Sequence, residues 1–296
     1  MEILDEIPEE AVMYLINALA FEAEWEDIYD ETQIWEGTFT AADGTQQSAE
    51  FMSSKESLYL EDENATGFLK YYAGRDYAFV ALLPREGVSV ADYVSSLTGE
   101  HLQELLENPE QITTYAKLPK FETEYDLDMT EILIDMGMTD AFDPALADFT
   151  RLGNSKDGNI FIGKVLHKTY LSVAEQGTKA GAATVVVVYG EAASPNFQKP
   201  KEVHLDRPFV YMLVDCEQQL PFFIGCMIKK SSLNRIKSSV NSLFSQAIRN
   251  ILRTLSHLVF PVCSTLMCTS GVMMFGQPPK TITRLYCIFW QTERRE

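Results

Sequence analysis

The sequence predicts a mixed α+β fold organised on long, buried strands. Three observations carry this: an apolar run from Ala11 to Phe21, a second from Phe79 to Leu83 that stops at Pro84, and an apolar helical period from Val90 to Leu106. Continuous runs of this length belong to strands covered on both faces. Pro84 ends its run because proline offers the ladder no N–H. Val90, Tyr93, Val94, Leu97, Leu102, Leu105 and Leu106 recur about one turn apart, so they share a helical face, with Gly99 dividing the helix in two. Segments 112–125, 165–173 and 209–214 read as further strands, and 129–136 as a short helix. Glu217-Gln-Gln-Leu-Pro221 reads as a hairpin connection leading into Phe222-Phe-Ile-Gly225. No internal repeat is present, and strands and helices do not alternate regularly.

Composition narrows the function classes. With 296 residues, 46% of them hydrophobic and 11% aromatic, the chain has material for a sizeable core. A net charge of −19 argues against nucleic-acid binding, which needs basic groups to displace counterions from phosphates. The cysteines Cys216, Cys226, Cys263, Cys268 and Cys287 are odd in number and form no paired CxxC clusters, so neither a disulfide framework, a metal site nor a cofactor is expected. The histidines His101, His167, His204 and His257 accompany no nucleophile motif of the GxSxG kind, so no enzyme is expected. The first ten residues are acidic where a signal peptide would begin basic, so no export signal is expected in the chain as written.

Charge also divides the chain. No Asp or Glu occurs between Ser231 and Thr292, and the tail's eight Lys and Arg against two Glu leave it six charges positive, with the body at −25. Residues 1–230 and 231–296 are therefore read as separate regions. In the tail, Leu233, Ile236, Val240, Leu243, Ala247, Ile248, Ile251 and Leu255 form an apolar helical stripe with basic neighbours, a pattern of membrane-surface helices. Residues 254–276 carry no formal charge and are long enough to span a bilayer, but Pro261, His257 and many polar residues make them a poor span. A shifted or fused reading frame is preferred over membrane association through 231–276.

The connection between the strands ending near Val173 and starting at Phe209 exceeds thirty residues, longer than loops without a function usually run. Its first part, Gly177-Thr-Lys-Ala-Gly-Ala-Ala-Thr184, is small apart from Lys179. As a strand it would put Thr178, Ala180, Ala182 and Thr184 on one face, able to enter a packed sheet. Val185-Val-Val-Val188 follows with high β propensity. From this stretch alone, a flexible Gly/Ala linker followed by an edge strand accounts for it equally well.

Resemblance separates the two. Glu175-Gln-Gly-Thr-Lys-Ala-Gly-Ala-Ala-Thr184 resembles the hinge of inhibitory serpins, and Leu205-Asp-Arg-Pro-Phe-Val-Tyr-Met-Leu213 resembles the signature that follows their reactive loop. Asn17-Ala-Leu-Ala-Phe-Glu-Ala-Glu-Trp25 is similar to the family's central strand, with Ala23 where glycine is usual. Tyr72 to Pro84, Leu118 to Phe121, Leu133 to Phe142 and Pro221 to Gly225 are similar in the same order along the chain.

The resemblance implies a serpin-like fold across residues 1–230, with a reactive loop over about 175–204 offered to a target serine or cysteine protease. Once cut, the loop inserts into the main sheet as a new strand while the protease stays acyl-linked. Ladder hydrogen bonds are worth roughly 0.5–1.5 kcal/mol each, so ten inserted residues supply on the order of 10 kcal/mol. The implied hinge is Glu175, Gly177, Thr178, Ala180, Gly181, Ala182, Ala183 and Thr184. Trp25 and Lys120 lie where the loop meets the sheet, with Lys120 paired to Glu175. Asn17 and His167 form the polar pair of the shutter, where strands part, and Asp206, Arg207, Pro208 and Phe209 belong to the signature.

Hinge spacing carried from the family puts the scissile bond at Glu191-Ala192, which suits a Glu-specific protease. The segment from the hinge to Pro208 is longer than usual, so cleavage after Val188, Tyr189, Ala192 or Ala193 stays open and would suit elastase-, chymotrypsin- or subtilisin-like enzymes. A monomer acting outside the cell is expected. The family's N-terminal half has no counterpart in the chain, and the family ordinarily stops soon after the equivalent of Gly225. The rival reading is a non-inhibitory serpin-fold fragment acting as an interaction module, against which the small hinge residues speak.

Overall fold

The computed structural model describes residues 13–153, 155, 158–178 and 199–229, with backbone alone at 17–20, 125–126 and 285–290. In chain order the strands are β1 (Tyr14–Ala20), β2 (Ala23–Glu24), β3 (Ile34–Thr40), β4 (Gln46–Glu61), β5 (Ala65–Tyr71), β6 (Tyr77–Pro84), β7 (Glu110–Pro119), β8 (Phe121–Asp128), β9 (Lys164–Ala174), β10 (Gly177–Thr178), β11 (Lys201–His204), β12 (Phe209–Asp215), β13 (Leu220–Met227) and β14 (Leu285–Trp290). The helices are α1 (Val90–Ser96), α2 (Gly99–Glu107) and α3 (Thr130–Asp135). The chain divides into two compact units, residues 1–20, 124–170 and 235–296 forming one and residues 21–123 and 171–234 the other.

The second unit holds a sheet in the order β11-β7-β4-β5-β6-β12-β13, with β3 paired to β4. Every residue of β6 is buried, so the apolar run at Phe79 to Leu83 sits in the sheet interior with both faces covered. Full burial of such side chains contributes roughly 1.5–3 kcal/mol each. α1 begins where the Ser89 hydroxyl accepts from the Asp92 amide at 3.0 Å, and α2 where the Thr98 hydroxyl accepts from the His101 amide at 3.1 Å. The helix expected over 90–106 is divided in two at Gly99 as expected, with Thr98 supplying the cap that starts the second helix.

Two other expectations change. The single strand expected over 112–125 is two, divided at Lys120: β7 pairs with β4 and β11, and β8 with β9. The hairpin after β12 turns within 216–219, with Gln219 at φ 53°, so Pro221 lies inside β13 opposite Val214 at a register shift. β4 had no signal in the apolar pattern, since Gln-Gln-Ser-Ala-Glu-Phe-Met-Ser-Ser-Lys-Glu mixes polar and apolar residues. It forms a strand because β3, β5 and β7 bond to its two edges.

In the first unit β1 lies between two partners. It pairs in parallel with β9 from Tyr14↔Lys164 to Ala20↔Tyr170, and antiparallel with β14 from Tyr14↔Trp290 to Leu19↔Leu285. The basic tail therefore supplies a strand that composition did not reveal. Met13, Ile160, Ile162 and Val165 form a buried cluster there, flanked by Leu15, Met129 and Leu133. The tail's apolar stripe from Leu233 and segment 254–276 lie outside the described residues. Among the described residues no helix is long and apolar enough to cross a membrane.

Candidate functional site

The last residues of β9, a two-residue turn and β10 form a small hairpin in the second unit. Gly177 pairs with Ala174 and Thr178 with Val173 on one side, while Gly177 pairs with Glu24 and Thr178 with Ala23 of β2 on the other. The first two residues after the turn are therefore bonded along both edges. Gly177 has φ 149°, and a Cβ there would overlap the Ala23 carbonyl oxygen. Only glycine fits that conformation and that approach together.

Three hydrogen bonds fix the hairpin turn to residues 25–29. The Trp25 indole N–H donates to the Ala174 carbonyl at 2.8 Å, the Trp25 amide to the Gln176 carbonyl at 3.0 Å, and the Tyr29 amide to the Glu175 carbonyl at 3.0 Å. The Trp25 ring is almost wholly buried and stacks on Tyr72, with centroids 4.5 Å apart and planes 11° from parallel. The Tyr72 and Thr178 hydroxyls hydrogen-bond at 2.7 Å, and Thr178 is fully buried. Burial raises the Tyr72 phenol far above its ordinary value, so it stays protonated.

Lys120, at the break between β7 and β8, bridges two carboxylates: Glu175 at 3.1 Å and Glu50 at 3.7 Å. The Glu175 carboxyl is held below the ordinary carboxylate range, first by its own backbone N–H and then by Lys120. Both side chains are partly exposed, so the pair contributes no more than about 1 kcal/mol.

The resemblance-derived residues fall into four places. Trp25, Lys120, Glu175, Gly177 and Thr178 come together around the hairpin. Asn17 and His167 are direct partners in the parallel β1–β9 register; the His167 imidazole is pushed below its ordinary value by burial, and the Asn17 side chain lies outside the described residues. The signature residues support the sheet: the Asp206 carbonyl accepts from the Thr40 amide at 2.8 Å, Arg207 donates to the Pro84 carbonyl at 3.1 Å, and buried Phe209 packs edge-on to Phe121 just after Pro208. Ala180, Gly181, Ala182, Ala183, Thr184, Glu191 and Ala192 lie outside the described residues.

The expected loop over 175–204 is narrower at both ends. Gly177 and Thr178 already belong to β10, and 201–204 form β11, parallel to β7. Tyr72 and Tyr29 were not singled out by the sequence reading, because their partners at Thr178 and Glu175 lie over a hundred positions away and leave no local spacing.

Residues 1–230 match the family described as Serpin (serine protease inhibitor), and the chain belongs to that family. It is 33% identical over 223 residues to Serpin B10 of Bos taurus, covering 72% of this chain and 54% of that protein. Antithrombin-III of Homo sapiens is 29% identical over 230 residues, covering 75% and 49%. Among solved structures, the thermophilic serpin tengpin in its native state superposes with a TM-score of 0.70 and 48% identity, covering 77% of this chain and 58% of that one. The chain thus spans about half the length of the curated relatives it matches.

Proposed function

We propose that the chain acts as a suicide inhibitor of an endopeptidase of the serine class, with cysteine-type enzymes the secondary targets, through insertion of its reactive loop. The observation that carries the reading is β10: the loop's first two residues are already bonded between β9 and β2, with Thr178 buried. In the register set by Thr178↔Val173, continuing β10 along β9 would bring Ala180 opposite Leu171, Ala182 opposite Thr169 and Thr184 opposite His167. Those residues share Thr178's side of the strand, so each side chain entering behind it is small.

For the strand to grow, β1 must leave β9, since Leu19↔Thr169 and Asn17↔His167 are paired now. The new strand exchanges that single ladder for two, one on each edge, which gives insertion its direction. Cleavage in the loop frees the residues after Thr178 to follow. An acyl bond between the protease and the new C-terminus of the cut loop then carries the enzyme along with the strand.

The test is incubation with elastase-, chymotrypsin-, subtilisin-like and Glu-specific proteases, followed by denaturing electrophoresis. A covalent protease–chain band with at least one of them is expected. Cleaved chain without any such band across the panel contradicts the reading.

A further inference from the structure

Behind the aromatic pair that holds the hairpin lies a buried charge. Lys70 on β5 is only 2% exposed, and its ammonium pairs with Glu56 of β4 at 3.1 Å. It also lies 4.6 Å from the ring centre of Tyr29 and 5.6 Å from that of Trp25. Glu56 accepts a second hydrogen bond from the Ser54 hydroxyl at 2.6 Å, and Ser54 in turn meets the Tyr29 hydroxyl at 3.2 Å. Lys70, Glu56, Ser54 and Tyr29 therefore close a circuit in which charge, hydroxyl and ring each contact the next.

Trp25 and Tyr29 are the two residues whose backbone amides hold the Gln176 and Glu175 carbonyls. One buried cation thus lies against both rings that flank the hairpin's anchor points. A desolvated ammonium is attracted to an aromatic face, and the attraction strengthens as water is excluded. A buried lysine is costly unless paired, and here Glu56 supplies the counter-ion.

We infer that Lys70 is a positioning residue: with Glu56 as its counter-ion, it fixes Trp25 and Tyr29 and so sets how firmly the hinge strand is held in the sheet. It touches no loop residue itself and acts through the two aromatics. The inference rests on the reading of residues 175–184 as a hinge that moves into the sheet, but its test involves no protease, so failure of either is distinguishable from failure of the other.

The test is residue-resolved hydrogen exchange on the full chain, comparing the amides of Trp25, Tyr29 and Thr178 with those of Val80 and Leu82 in β6. Lys70→Met is expected to speed exchange at the first group about tenfold and leave β6 unchanged, because the hairpin then opens locally without global unfolding. Lys70→Arg, which keeps a cation able to pair with Glu56 and face the rings, is expected to stay within about threefold of the original protein. If Lys70→Met does not fold, the double variant Lys70→Met/Glu56→Leu removes the orphaned carboxylate and is read in its place, with the same local acceleration expected. Unchanged exchange at Trp25, Tyr29 and Thr178 overturns the inference, and so does an equal acceleration in β6, which would mark a merely structural role.

Discussion

Tyr72 carries the hydroxyl that buried Thr178 depends on. The 2.7 Å bond to Thr178 lies in a site without exposed surface, so removing one partner leaves the other's polar group unsatisfied. Tyr72→Phe is expected to lower unfolding stability by about 1–3 kcal/mol. Tyr72→Phe combined with Thr178→Val is expected to cost less than the sum of the single changes, as for any pair in direct contact. Equilibrium denaturation of the four proteins checks both. Glu175 offers a second residue-scale expectation. Its folded carboxyl titrates below the ordinary value of 4.5, so its contribution is complete above that value and fades as pH falls through the lower folded one. Glu175→Gln is expected to cost less than about 1 kcal/mol at neutral pH, because the pair is partly exposed, and to flatten stability against pH in the acid range. Denaturation midpoints measured across that range decide it.

At the scale of elements, legibility followed the distance over which a signal acts. β6 announced itself because both faces are buried and the run is unbroken from Phe79 to Leu83. β4, with Glu50, Lys55 and Glu56 scattered through it, is specified by neighbours on both edges and left no apolar pattern to read. The segment read as a hinge stood out by composition, seven small residues and Lys179 led by Gly177. Its socket did not, since Trp25 reaches Ala174 across 149 positions and Tyr72 reaches Thr178 across 106. Resemblance brought Trp25, Lys120 and Glu175 to the same place because a family pattern stores long-range partners that local spacing cannot. It left out Tyr29, Lys70 and Glu56. The element-scale expectation concerns β10: if the strand continued past buried Thr178, position 182 would fall on Thr178's side, so Ala182→Arg would carry a charged side chain toward the sheet interior. After loop cleavage this variant is expected to show no gain in thermal stability where the original protein gains. An equal gain in both would show that position 182 never enters the sheet.

For the whole molecule, the issue is whether a chain spanning about half of its curated relatives can receive the strand. The two strands that the proposed insertion would part, β1 and β9, are present and paired, and Gly177 and Thr178 already pair with β9. β1 is bonded on its other edge by β14 of the basic tail, so parting from β9 would not leave it unpaired. The most direct measurement is thermal unfolding of the full chain before and after cleavage confined to residues 179–198. A rise of more than about 10 °C after cleavage is expected, because each inserted residue adds ladder hydrogen bonds on both edges. An unchanged or lowered midpoint would contradict insertion, and with it the proposed inhibitory mechanism.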